Sequence, residues 1–192
     1  VATLSRQKMR LLETGIPDFE DNQCRLLCAG DENTTIINVY VPNGSAVGSD
    51  KFEYKIKWLT ALKTWLTRLA QEKNNLILLG DFNIAPDDED VHDPELWRDK
   101  ILCSAQERNL LESIKALGLV DTFREFSQAD STFSWWDYRA GGFPRNRGLR
   151  IDLILASIAM QKNLKSSAID TTPRGWEKPS DHAPVVLELA LN

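Results

Sequence analysis

The chain has 192 residues, enough for one domain with a sizeable core. Hydrophobic residues make up 42% and charged residues 27%, which excludes a disordered, collagen-like or disulfide-dense protein, and no apolar stretch approaches the roughly 18 residues needed to cross a bilayer. The net charge of −5 argues against coating nucleic acid without selection, but leaves room for an enzyme with a local basic face.

Val1-Ala-Thr-Leu-Ser-Arg6 holds no apolar signal core, which suggests no export and places the protein in the cytoplasm. Leu26 to Ala29 and Thr35 to Val41 read as strands around a polar Gly-Asp-Glu-Asn turn, a hairpin. Phe52, Ile56, Leu59, Leu62, Leu66 and Leu69 recur at steps of three and four, the stripe of an amphipathic helix. Leu76 to Gly80 is short and continuously apolar, as expected of a strand covered on both faces. Pro86 to Glu95 is strongly acidic and reads as a solvated loop, with His92 solvated inside it. Ser104-Ala-Gln-Glu107 is a capping box that opens a second helix, which stops at Gly118. Ile151 to Ala156 and Val185 to Leu191 are two further strands. Alternating strands and helices make the class α/β, and the hairpins predict mixed sheets. Cys24, Cys28 and Cys103, with two histidines in the chain, suit buried reduced thiols better than a zinc site.

Three strand ends carry polar residues that a core would not select. Asp81 and Asn83 follow the Leu76 strand and, two apart on extended chain, point to one side at the end where α/β proteins bind ligands. A turn would use the same residue types. Asp152 interrupts an otherwise apolar strand, where a carboxylate must be paired or bind a cation, and its neighbour Arg150 faces the other side. Asp181-His182 precedes the last strand and could offer an imidazole to a phosphate or a water. Neither a nucleophile elbow nor a Gly-rich phosphate loop is present. Carboxylates, an amide and one imidazole suit a hard cation such as Mg²⁺ or Mn²⁺. Arg139, Arg145, Arg147 and Arg150 lie among glycines just after Phe133-Ser-Trp-Trp-Asp-Tyr138, a composition suited to phosphate contact and stacking, or to a solvated loop beside core tryptophans.

Taken together and in order, several segments resemble the exonuclease III family of DNA-repair nucleases in the endonuclease/exonuclease/phosphatase superfamily. They are Asn38-Val-Tyr-Val-Pro-Asn-Gly44, Gly80-Asp-Phe-Asn-Ile-Ala-Pro86, Gly118-Leu-Val-Asp-Thr-Phe-Arg124, Phe133 to Arg139, Asn146 to Ser157 and Lys178-Pro-Ser-Asp-His-Ala-Pro-Val185. The resemblance runs from end to end. It implies a four-layer α/β sandwich of the DNase I-like type, and residues 1–192 as the C-terminal three quarters or so of one such domain, N-terminally incomplete. It implies Mg²⁺- or Mn²⁺-dependent cleavage of duplex DNA 5′ to abasic sites, with 3′-to-5′ exonuclease and 3′-phosphatase or phosphodiesterase activity, by a monomer in the bacterial cytoplasm.

By the same resemblance, Asp81 orients or deprotonates the attacking water, and Asn83 bonds the phosphate or helps hold metal. Asp152 assists the water and His182, His182 neutralises the phosphate, and Asp181 supports His182 or ligates metal. Tyr40 places its hydroxyl near the phosphate or leaving group. Trp135 and Leu149 line the pocket for an extruded abasic sugar, while Asn146 and Arg147 contact the DNA backbone. The family's first strands, which carry an Asn and the Glu that is its principal metal ligand, have no counterpart here; the chain starts at what resembles the family's Gly-Val-Ala-x-Leu-Ser strand, after the Gly. Two other readings stand beside this one: a phosphatase of small phosphoesters from the same superfamily, and a DNA-binding fragment without catalysis.

Overall fold

The computed structural model describes residues 1–190. Its centre is a six-stranded sheet of β1 (Arg10–Thr14), β2 (Leu26–Gly30), β3 (Thr35–Tyr40), β4 (Leu76–Asp81), β5 (Leu119–Asp121) and β6 (Asp152–Ser157), in the order β1-β2-β3-β4-β6-β5. The β2–β3 hairpin is antiparallel. A crossover through helix α1 (Asp50–Glu72) then makes β3 and β4 parallel, and the remaining pairs are antiparallel. The sheet is therefore mixed. Strands β7 (Leu164–Ile169) and β8 (Val185–Leu189) form a separate antiparallel pair.

The continuous apolar run of β4 has a simple cause. Leu76 and Leu78 face Trp58, Leu59, Leu62 and Leu66 of α1, together with Leu111 and Ile114 of a later helix, α3 (Ala105–Lys115). Ile77 and Leu79 face the other way, against Ile154, Met160 and the Val185, Leu187 and Leu189 side of β8. Successive strand residues alternate sides, so a strand covered twice is apolar throughout. Helices α1 and α3 pack on one face of the six-stranded sheet and the β7–β8 pair on the other, a mixed α/β sandwich as expected. None of the described helices is long and apolar enough to cross a membrane.

Both long helices begin as their sequences dictate. Ser49 caps α1, its Oγ accepting from the Phe52 N–H at 3.2 Å. At α3, Ser104 Oγ accepts from the Glu107 N–H while Glu107 Oε2 accepts from the Ser104 N–H, so both arms of the capping box form. Gly118, at φ +91°, turns the chain into β5.

Several expectations need correction. The acidic segment is not merely solvated. It contains a 3-10 turn, Asp88–Asp90, and leads into a short helix, α2 (Pro94–Trp97); Asp90 is 1% exposed, drawn inward by Arg150. His92 is half-buried, its backbone N–H and Nδ1 each 3.1 Å from the Gly148 carbonyl. Cys28 and Cys103 are buried as expected, whereas Cys24 is exposed. Leu191, the expected end of the last strand, lies outside the described residues.

Candidate active site

Strand pairing alone brings the polar strand ends together. Parallel β3 and β4 finish side by side with Tyr40 opposite Asp81, and antiparallel β6 starts where β4 ends, so Asp81 and Asp152 are direct cross-strand partners. Like charges placed opposite one another destabilise a sheet, which marks the pair as something packing did not choose. His182, in the segment before β8, bridges to Trp135, and its Nδ1 lies 2.8 Å from Asp152 Oδ2. An ionised carboxylate only accepts, so Nδ1 carries the proton. One ligand atom each from Asp81, Asp152 and His182 lies within 4.8 Å of the other two.

The turn carrying Asp81 is held from behind. Gly80 sits at φ +136°, where an added Cβ would come within 1.9 Å of the Val39 carbonyl oxygen, so only glycine lets β4 approach β3 this closely. Asn83 takes the left-handed conformation, φ +50°. Its N–H and Nδ2 both donate to the Asp81 carboxylate, at 2.8 and 3.0 Å; Nδ2 also donates to the Val41 carbonyl, and Oδ1 accepts from Asn43 Nδ2 at 2.9 Å. The fully buried Lys55 ammonium donates to the Asn83 carbonyl at 2.7 Å and to that of Asn43 at 3.3 Å, and it pairs with Glu107.

This environment sets the charges. Burial, followed by the neighbouring Asp152 carboxylate, pushes the Asp81 carboxyl up to about 7. Burial acts to lower the His182 pKa, but its bond to Asp152 and the nearby carboxylates outweigh that and hold it above the ordinary imidazole value. The site pairs a reluctant carboxylate with a willing cation.

The other predicted residues are placed as follows. Tyr40 is 44% exposed at the end of β3, with the Arg25 guanidinium 4.8 Å from its ring centroid. Asp181 Oδ2 accepts from Trp135 Nε1 at 3.0 Å, and Trp135 is half-buried. Asn146 spends its amide internally, accepting from Trp136 Nε1 and donating to the Ser131 carbonyl. Arg147 is exposed and makes no ion pair among the described residues. Leu149 is 0% exposed in a cluster with Ala85, Val91 and Ile151, so in this conformation its side chain offers no surface to a sugar. Arg150, grouped with the basic segment by sequence, is buried between Asp90 and Asp121, and Arg139 is paired with Asp137. Sequence reasoning missed Asn43, Lys55 and Glu107 as supports of the site. Asn43 carried a signal in the Tyr-Val-Pro-Asn segment and Glu107 in the capping box, whereas Lys55 carried none.

The two carboxylates fit a hard divalent cation and would leave positions for water and a phosphate oxygen, with the His182 imidazole close by. No lysine or arginine forms an ion pair with Asp81 or Asp152 among the described residues; His182 is the cation beside them, and Lys55 acts on Asp81 from farther away. Asn83 stands beside this group with its oxygen engaged by Asn43, and Asp181 with one oxygen engaged by Trp135.

Comparison with known proteins gives the family of the chain. The model of the Endonuclease/Exonuclease/phosphatase family matches residues 1–182. Exodeoxyribonuclease III of Haemophilus influenzae is 37% identical over 201 residues, covering 98% of this chain and 75% of the relative. The exodeoxyribonuclease of Bacillus subtilis is 34% identical over 193 residues, covering 100% and 73%. Among solved structures, the Neisseria 3′ phosphatase NExo bound to a product DNA hairpin superposes with a TM-score of 0.91 at 41% identity, over 96% of this chain and 71% of its own. An AP endonuclease from Archaeoglobus fulgidus gives 0.87 at 31% identity, over 93% and 70%.

Proposed function

Because the chain belongs to the endonuclease/exonuclease/phosphatase family, in its exonuclease III branch, we propose that it is a metal-dependent DNA-repair nuclease. It hydrolyses phosphodiesters of duplex DNA 5′ to abasic sites and at 3′ ends, where it also removes phosphate. The supporting observation is the convergence of Asp81, Asp152 and His182 at the shared end of adjacent strands. Residues 1–192 act as part of one domain, as a monomer in the cytoplasm.

Asp81 and Asp152 would hold Mg²⁺ or Mn²⁺, with Asn83 or Asp181 as a further oxygen ligand. When bound, such a cation supplies positive charge to the phosphate and acidifies water. Asp81, fixed by both nitrogens of Asn83, orients the attacking water and takes its proton. Protonated His182, aligned by Asp152, neutralises a non-bridging phosphate oxygen and so favours the more highly charged transition state. The new P–O bond forms from the water oxygen as the bond to the 3′ oxygen breaks; Asp81 keeps the water proton and the 3′ oxygen takes one from solvent, leaving a 3′ hydroxyl and a 5′ phosphate. Tyr40, exposed beside Asp81, places its hydroxyl toward the leaving oxygen. Arg147 holds the backbone, and Trp135 walls the space for the extruded sugar.

The test is a duplex oligonucleotide with one abasic-site analogue, incubated with the chain and Mg²⁺, with and without chelator, and resolved on a denaturing gel beside a gel shift. Chelator-sensitive incision immediately 5′ to the lesion is expected. Binding without incision by folded protein would replace the nuclease reading with that of a DNA-binding fragment.

A further inference from the structure

Ser134 is 0% exposed and lies within the aromatic run, yet its hydroxyl and carbonyl reach the chain stretches that carry Asp152 and His182. Its Oγ accepts from two consecutive backbone donors, the N–H groups of Ile151 and Asp152, both at 3.0 Å. Its carbonyl accepts from the Ala183 N–H at 2.7 Å, and its own N–H donates to the Leu149 carbonyl at 3.0 Å. The next two residues continue the pattern. Trp135 pairs with Leu149 and His182, and the Trp136 N–H donates to the Asp181 carbonyl at 3.0 Å. One short segment thus touches both chain stretches whose side chains meet as Asp152 and His182.

The hydroxyl answers a specific need. Strand β6 pairs with β4 from Asp152 onward, but with β5 only from Leu155. Its first residues therefore have no ladder partner on the β5 side, and buried N–H groups without an acceptor are costly. A single hydroxyl oxygen, with two lone pairs, satisfies both donors. In doing so it fixes the backbone from which the Asp152 carboxylate reaches His182.

We propose that Ser134 is a positioning residue of the reaction, holding the start of β6 so that Asp152 aligns the His182 imidazole. The inference rests on the nuclease reading for its link to turnover, but not for the geometry it asserts.

The test compares Ser134→Ala with Ser134→Thr, which keeps the hydroxyl. The first readout is the downfield proton resonance of the His182 Nδ1–H, recorded without metal or DNA at fixed pH and assigned by its loss in His182→Gln. Because His92 is the only other histidine, that assignment is unambiguous. The second is turnover on the abasic duplex, with kcat and KM separated. In Ser134→Ala the resonance shifts or broadens away. In that variant kcat also falls by about 10- to 100-fold, the scale set by misplacing a catalytic group by about an ångström, while KM stays within about twofold. Ser134→Thr retains both. An unshifted resonance in Ser134→Ala, or a threonine variant as impaired as alanine, overturns the proposal. Should alanine weaken the fold, Ser134→Cys takes its place, and parity of its resonance and kcat with the parent overturns the proposal equally. A chain that leaves abasic DNA uncut while the resonance still moves in Ser134→Ala would overturn the nuclease reading and keep the positioning role.

Discussion

Asp90 and Asp121 converge on a guanidinium supplied by the chain itself, whereas Asp81 and Asp152 face each other across a strand pair with an imidazole beside them. In the first cluster Arg150 Nε bonds Asp90 at 2.6 Å and its terminal nitrogen bonds Asp121 at 2.8 Å, all three side chains being almost completely buried. Arg124 closes the cluster from outside, reaching Asp90 and Glu89. In the second cluster the carboxylates are partly accessible and one of them resists ionisation. The first is neutralised by folding and holds the acidic segment against the start of β6. The second is left short of positive charge by folding, so it is the one able to respond to a cation and a phosphate from solution.

Removing the internal cation should have the largest effect. Arg150→Met would leave Asp121 buried without its cation and Asp90 with Arg124 alone, costing about 3–5 kcal/mol, read as a lower midpoint in urea. At the other cluster, Asp152→Asn or His182→Ala should lower turnover by at least about 10²-fold, the usual worth of an acid–base group, with little change in that midpoint. Unchanged turnover in both variants would dissolve the distinction between the clusters.

Adding metal should sharpen the contrast through pH. The Asp81 pKa is raised to about 7 in the folded chain, so its contribution to stability is complete below its unfolded value and is lost as pH rises through about 7. Mg²⁺ competes with that proton, so its stabilisation should be greater at pH 8 than at pH 6. At roughly ten times its Kd it would contribute about 1.4 kcal/mol, measurable as a rise in Tm over a chelated control. Arg147→Ala should do least, weakening duplex binding evenly across sequences and reducing the salt slope by about 1.

The legible parts of the fold were those that local chemistry dictates: the β2–β3 hairpin, the α1 stripe, the Ser104–Glu107 box and the twice-covered β4 run. Strands β1, β5 and β7 escaped because nothing local marks them. β1 is an exposed edge of mixed polarity, β5 has three residues, and Leu-Lys-Ser-Ser-Ala-Ile in β7 has no alternation. At the site, Asp81, Asp152 and His182 stood out as polar residues in apolar surroundings, and the cross-strand register brought them together. Arg150 misled for the opposite reason. Its partners lie 60 and 29 residues away, at Asp90 and Asp121, so the sequence around it looked like a basic surface. Ser134 and Lys55 act on backbone groups far along the chain, whose positions no side-chain pattern records, and the capping box that marked Glu107 did not reveal its pairing with Lys55.

The Lys55 ammonium has a consequence for how this molecule folds. It links α1 to carbonyls 12 and 28 residues away and to a carboxylate 52 residues away on α3. None of these contacts can form until the intervening loops have closed, and the entropy of closure precedes any return from the contact. Docking of α1 on α3 and closure of the turn at Asn83 therefore share one ammonium. During refolding the turn that presents Asp81 would mature with the last helix contacts, after the hairpin that precedes it.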